Sequence, residues 1–361
     1  AQQLATWLGW RLHGIRGGVA AGLLFILPGL LVMLGLSALY LAYGRSGWAA
    51  PVLLGLKAAV VALVLQALLK IGKRAVKDRL TAVVCGAAFV LLAFTTIPFP
   101  LVVLGAGALG WLAARDEAEP IKAPVTPAGG QGRTALTCLA LWLAPIGLAW
   151  LLAPGSPLAW MGLTFGGLAA ISFGGAYAAL AYLGQAASSF GWLTATQMLD
   201  GLGLAETTPG PLVLVFVFVG FVGAFQTATP EWAWPLAALG GLMAAWTTFA
   251  PSFLWIFAGG PLFERWGRRP RPARALALIS AAAVGVIGQL ALWFTLHLLF
   301  RSGHTLEAGP LRVLLPDVSS LDQAALGLTA LALMLANRVP MLAMICVMII
   351  AGVLLRVVGL S

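Results

Sequence analysis

The chain has 361 residues, 61% of them hydrophobic and only 9% charged, with a mean hydropathy of +0.99 and a formal net charge of +10 from 21 Lys and Arg against 11 Asp and Glu. A soluble domain carries about 25% charged residues, and so apolar a chain could not cover a water-facing surface without leaving costly hydrocarbon exposed. The composition therefore argues against a soluble protein. The basic residues sit in short loops between apolar runs, where the positive-inside rule places them, which argues against a nucleic-acid binder.

About a dozen apolar segments occur in order: 1–13, 18–43, 50–72, 80–96, 99–114, 134–153, 157–187, 211–226, 234–258, 274–300, 322–337 and 339–358. A span needs about 20 residues to cross a hydrocarbon core of about 30 Å. Several of these segments are shorter than that or broken by Gly and Pro. Helices are expected, because a bilayer offers the backbone no other partners, and the runs lack the alternation of a barrel. The predicted class is an all-α integral membrane protein of 11–12 transmembrane or re-entrant helices. The stretch 115–133 holds Asp116, Glu117, Glu119 and a Pro/Gly cluster, and reads as a cytoplasmic linker between units 1–114 and 134–361. Cys85, Cys138 and Cys346 each lie in an apolar run without metal-type spacing and are expected to pack in the core. No cleavable signal peptide is recognised, and the entry straight into an apolar segment at Ala1 suggests that residues precede it.

The two units repeat. An offset of 223 positions carries Gly17-Gly18 onto Gly240-Gly241, Pro28 onto Pro251, Gly44-Arg45 onto Gly267-Arg268 and Gln66 onto Gln289. The loop charges reverse between equivalent positions. Arg45 stands alone after the Pro28 segment, whereas Arg265, Arg268, Arg269, Arg271 and Arg274 come after the Pro251 segment. Lys70, Lys73, Arg74, Lys77 and Arg79 form the next loop of the first half, whose counterpart 301–322 is nearly balanced. Opposite bias at equivalent loops predicts an inverted-topology repeat, a common plan of transporters with a central site. Loops 70–79 and 265–274 are then cytoplasmic, with Arg45 and Arg301 outside.

Chemistry concentrates in 172–175 and 206–211. Gly174 and Gly175, after Ser172 and Phe173, permit close backbone approach or a helix break. Thr207 or Thr208 is expected to cap a helix opened by Pro209-Gly210-Pro211, whose free N–H groups and dipole would favour an anion. A capped helix with an ordinary helix–helix contact explains the same residues. Lys57 lies several residues inside its segment, opposite Ser280 in the repeat, placed to meet an oxyanion or to snorkel outward. Arg338 reads as a topology anchor. Glu206 is a candidate for carrying a coupling proton, for pairing with a cation, or for favouring the dipole of the next helix.

The run Phe173-Gly174-Gly175, then Gly191-Trp192-Leu193, then 203–211 resembles the second-half signature of the chromate ion transporter family. In the first half, Gly9-Trp10-Arg11-Leu12-His13-Gly14, Arg16-Gly17-Gly18 and Phe25-Ile26-Leu27-Pro28 are similar to the stretch downstream of that family's first PGP motif. The family's first FGG and first PGP are expected upstream of Ala1. The resemblance implies a multi-pass protein of the inner (cytoplasmic) membrane that moves chromate outward and gives chromate resistance. By residue chemistry, Ser172, Gly174, Gly175, Thr207, Thr208, Gly210 and Lys57 are the substrate-binding candidates. Sulfate is a tetrahedral dianion of similar size, so a sulfate-like oxyanion with proton coupling is the alternative. The bilayer is the surrounding partner, a homodimer is allowed, and neither nucleic acid nor a cofactor is implied.

Other classes find less support. His13, His297 and His304 are scattered, so no metal site is expected. No nucleophilic constellation and no phosphate-binding loop ending in Gly-Lys-Ser/Thr is present, which argues against an enzyme, including one acting on lipid-linked substrates, and against ATP hydrolysis.

Overall fold

In the protein's structure, a computed structural model, all residues are described except 1, 45, 115–130, 172–175, 209, 267–268, 310 and 359–361. Among the described residues, helices dominate. The first half holds α1 (Gln2–Tyr43), α2 (Ala49–Ala75), α3 (Arg79–Phe94) and α4 (Phe99–Ala113). The second holds α5 (Gln131–Leu152), α6 (Pro157–Ile171), α7 (Ala176–Ser189), α8 (Ala195–Thr207), α9 (Val215–Thr227), α10 (Ala233–Trp266) and α11 (Pro270–Leu299). After a strand pair come α12 (Gln323–Leu335) and α13 (Met341–Val357). Among the described residues, the helices in or around Gln2–Tyr43, Ala49–Ala75, Gly132–Leu152, Ala233–Gly260 and Pro270–Leu299 are long and apolar enough to cross a membrane, and six more apolar helices are shorter. This agrees with the all-α membrane class.

Two local features depart from the sequence reading. The loop 301–322 contains an antiparallel hairpin of β1 (Gly303–Ala308) and β2 (Leu311–Pro316). Helix α8 is not among the expected segments. It opens with a capping box in which Thr194 accepts from the Gln197 N–H and Gln197 accepts from the Thr194 N–H. The core expectation for cysteine also needs correction. Cys85 and Cys138 are half-buried, but Cys346 is exposed, because α13 turns Met344, Ile345 and Met348 inward instead.

Helix α1 is two helices joined at His13 and Gly14, where Gly14 takes φ +64, a left-handed conformation open to glycine. The chain folds back there, so that Gly9 lies against the Gly17 carbonyl and Ala21. The same contact recurs in the second half, where Gly220 lies against the Gly240 carbonyl and Ala244. The 223-residue offset takes Gly17 to Gly240 and Ala21 to Ala244.

Contacts between the halves are exchanged in the same register. Gly18 faces Phe257, and its mate Gly241 faces Leu34, the mate of Phe257. Gly22 faces Phe253, so rising numbers on α1 meet falling numbers on α10, and the two mates run antiparallel. Gly352 of α13 sits on the Pro51 carbonyl of α2, while Gly110 of α4 sits on the Arg274 carbonyl of α11, and Pro51 and Arg274 are themselves mates. Small residues let these backbones touch, which is how helices associate without a hydrophobic drive. On the flank, Trp142 donates to the Thr247 carbonyl at 3.1 Å and Trp246 to the Leu141 carbonyl at 2.9 Å, locking α5 to α10.

Candidate functional site

A buried ion pair lies where α1, α2 and α8 meet. Helix α2 packs nearly all round between Leu56 and Val64, and Lys57 opens this stretch. By helical rise Lys57 is about 12 Å from the start of α2, deep in a span. Its Nζ lies 3.0 Å from Asp200 Oδ1 of α8, the two side chains being 13% and 5% exposed. Tyr40 of α1 donates to Asp200 Oδ2 at 2.9 Å. Lys57 therefore neither snorkels nor stands free; it neutralises a buried carboxylate.

Two features hold this arrangement. Gly203 admits Leu56 against α8, and Gly201 admits Phe218 of α9, whose ring meets Tyr40 edge-on at 5.0 Å between centroids. A buried ion pair is weak evidence for stability, since apolar residues of similar volume often serve as well or better. An ionisable pair inside a span is instead a functional-site signal. Sequence reasoning misses Asp200 because 195–207 is too short and too polar to read as a span. The Thr194-to-Gln197 capping box and the buried Met198, Leu199, Leu202 and Ala205 around one acid are the available signals.

The second expected cluster is placed differently from the sequence reading. Thr207 and Thr208 do not cap a following helix; they end α8. Both hydroxyls donate back to the Leu204 carbonyl, at 2.7 and 2.9 Å, and the Thr208 N–H bonds to the Ala205 carbonyl. The next helical turn, Leu212–Leu214, starts after Pro211 without a side-chain cap and runs into α9. The reason is local: a helix ending at Thr207 satisfies both hydroxyls within its own last turn, and the prolines stop it from continuing. Glu206 is half-buried in that last turn. It therefore sits at the negative end of α8 rather than at the positive start of a helix, so the dipole-favouring reading fails.

Gly210 has φ +149 and approaches Gly29 of α1, while Thr208 is buried with its hydroxyl 3.7 Å from Met33 Sδ. Gly29, Met33 and Tyr40 thus line one side of α1 against 200–210. Between Gly29 and Tyr40 α1 rises about 16 Å. Lys57 with Asp200 and Thr208 with Gly210 are accordingly two stations along α1, not one cluster. Ser172, Gly174 and Gly175 lie outside the described residues.

A cavity of about 880 Å³ opens elsewhere, between α1, α5 and α10. Its lining is apolar apart from Arg133, Thr134, Thr137 and Cys138 towards one end. Walls of Leu, Ile and Phe give a dianion no compensation, so this is not where an oxyanion would rest. Among the described residues no group of His, Cys, Asp and Glu is arranged to hold a metal ion.

The sequence is similar to known proteins. The family model described as "Chromate transporter" matches residues 1–111 and 159–355. A probable chromate transport protein of Synechococcus elongatus is 30% identical over 80% of this chain and 68% of its own length. Chromate transport proteins of Pseudomonas aeruginosa and Cupriavidus metallidurans are 31% and 30% identical, each over 80% of this chain and over 65% and 67% of their own lengths. The chain thus spans about two thirds of the length of these relatives. No solved structure matches it significantly.

Proposed function

The chain belongs to the chromate transporter family, and on that premise we propose that it moves chromate across the cytoplasmic (inner) membrane, outward, in support of chromate resistance. It is a multi-pass membrane protein by its family and its apolar helices. The observation that carries the reading is the buried Lys57–Asp200–Tyr40 cluster, which sets a cation and a hydroxyl donor inside an apolar bundle. The second station contributes the backbone around Gly210, with Thr207 and Thr208 alongside. Ser172, Gly174 and Gly175 belong to the same proposed path.

The halves 1–114 and 134–361, joined by a cytoplasmic linker at 115–133, form two inverted repeats in this reading. The exchanged contacts of Gly18 with Phe257 and Gly241 with Leu34 support it. Such pairs of repeats rock about a central site to give alternating access.

The driving force is the membrane potential. Each charge leaving a cell that is negative inside gains about 2.3 kcal/mol per 100 mV, so a dianion gains about 4.6 kcal/mol. At about 1.4 kcal/mol per tenfold this sustains a gradient above about 1,000-fold without ATP. Glu206 is structural or modulatory here. The test is chromate flux by purified protein in liposomes at a clamped diffusion potential with equal pH on both sides. Flux that follows the potential supports the reading. Flux that ignores the potential and follows an imposed pH gradient rejects it.

A further inference from the structure

Asp200 is a carboxylate on which two donors from two other helices converge, the Lys57 ammonium at 3.0 Å and the Tyr40 hydroxyl at 2.9 Å. A tetrahedral oxyanion presents the same feature, an edge of two oxygens sharing negative charge. The donors stand on α1 and α2, and the carboxylate stands on α8. An oxyanion and the Asp200 side chain therefore compete for one pair of donors.

We propose that Asp200 is the substrate's stand-in: it occupies Lys57 and Tyr40 in the substrate-free protein, cedes both to the entering oxyanion, and takes up one proton as it does so. This rests on the oxyanion-transport reading above and adds to it the identity of the competing group. The charges explain the step. The Lys57–Asp200 pair is neutral. A dianion that displaced Asp200 without protonation would leave two anionic groups against one ammonium among Met198, Leu199 and Leu202, which are all buried. Removing the partner of a buried charge is strongly unfavourable, and neutralisation of that charge is the usual relief. The Lys57–Asp200 ion pair and the Tyr40–Asp200 hydrogen bond break, the corresponding contacts to the oxyanion form, and the proton comes from bulk water to a carboxylate oxygen of Asp200. It returns to water when the oxyanion leaves and the ion pair re-forms; released on the far side, it lowers the charge moved per chromate from two to one, which still runs outward down the potential. No bond within the oxyanion changes.

The surroundings single out Asp200 as the group that titrates. Helix α2 contributes Lys57 and α1 contributes Tyr40. The described side chains of α7, α9 and the turn Leu212–Leu214 include no titratable group. On α11, His297 packs on the Trp293 ring and has its Nδ1 2.8 Å from the Trp293 carbonyl oxygen; Arg271 and Arg274 lie at the other end of that helix. Glu206 lies further along α8.

The experiment is calorimetric titration of chromate into the purified full chain in nanodiscs, at a pH where chromate is the dianion, in buffers of different ionisation enthalpy. The expected result is uptake of one proton per chromate bound by the wild type, and binding without proton uptake by Asp200→Asn. Binding by the wild type with no proton uptake overturns the inference and leaves the transport reading standing. Uptake that persists in Asp200→Asn also overturns it, by assigning the proton elsewhere. Absence of any chromate binding by folded wild type overturns the transport reading itself. Should Asp200→Asn fail to fold, Asp200→Ser supplies the second variant, with Lys57 and Tyr40 left in place: binding without proton uptake is expected, and uptake retained in Asp200→Ser rejects the proposal.

Discussion

Arg274 Nη1 lies 2.6 Å from Asp78 Oδ2, and this contact ties the loop before α3 to the first turn of α11. The two most basic loops of the chain, 70–79 and 265–274, are thereby at the same end of the bundle. The opposite end carries the β-hairpin, which pairs through Leu311 with Thr95 just beyond α3. The positive-inside rule assigns the basic end to the cytoplasm.

In a cysteine-free background, Lys77→Cys and Arg271→Cys are expected to label from the cytoplasmic side only, and Ser319→Cys from the external side only. Membrane-impermeant maleimide applied to whole cells and to inverted vesicles reads this directly. Labelling of positions 77 and 271 from opposite sides would contradict the inverted arrangement.

The same contact has a pH signature. The Arg274 guanidinium, followed by the Thr81 backbone N–H, holds the Asp78 carboxyl below the usual carboxylate range. A depressed folded-state value means that the stabilisation is present above the unfolded value and is lost only as pH falls through the folded one. The melting temperature of Asp78→Asn should therefore lie slightly below wild type from neutral pH down to about pH 4, with the gap closing only at lower pH. The pair is partly exposed, so high salt should shrink the gap. A gap that closes between pH 8 and 6 would mean another group is responsible.

At the buried pair, Lys57→Met leaves Asp200 without its cation and should cost up to about 3–5 kcal/mol in unfolding free energy. The double variant Lys57→Met/Asp200→Leu should recover most of that stability. Chromate flux should be lost in both. A double variant that is stable and transports normally would show that the pair only supports the fold.

Where Gly220 meets Gly240, a side chain has no room: a Cβ on either residue runs into the other's carbonyl oxygen. Gly240→Leu should separate α9 from α10 and cost about 1–3 kcal/mol or more by overpacking. Gly17→Leu should act similarly at the mate contact. Unfolding of both variants in graded denaturing detergent checks this; wild-type stability in either would remove the close approach as a requirement.

Gly210→Leu should abolish transport without blocking insertion. The position holds a positive φ that L side chains rarely adopt, and its Cβ would meet Leu214. Protein that inserts normally and transports at the wild-type rate would move the site away from 207–210.

Local properties of the sequence determined the membrane class and the long spans, and they pointed to matched halves and to basic loops on one side. Hydropathy, loop charge and the matched Pro28 and Pro251 are each readable without knowing what touches what. Tertiary structure alone decided the partner of Lys57, because an ion pair between α2 and α8 depends on how two helices far apart in sequence are packed, and no periodicity encodes that. It also decided that Thr207 and Thr208 close a helix rather than open one. Thr-Pro-Gly-Pro fits either side of a break, and the choice fell to α8, a short helix whose Asp200, Glu206 and Gln197 hide it from any hydropathy count until Met198, Leu199 and Leu202 are seen buried beneath it.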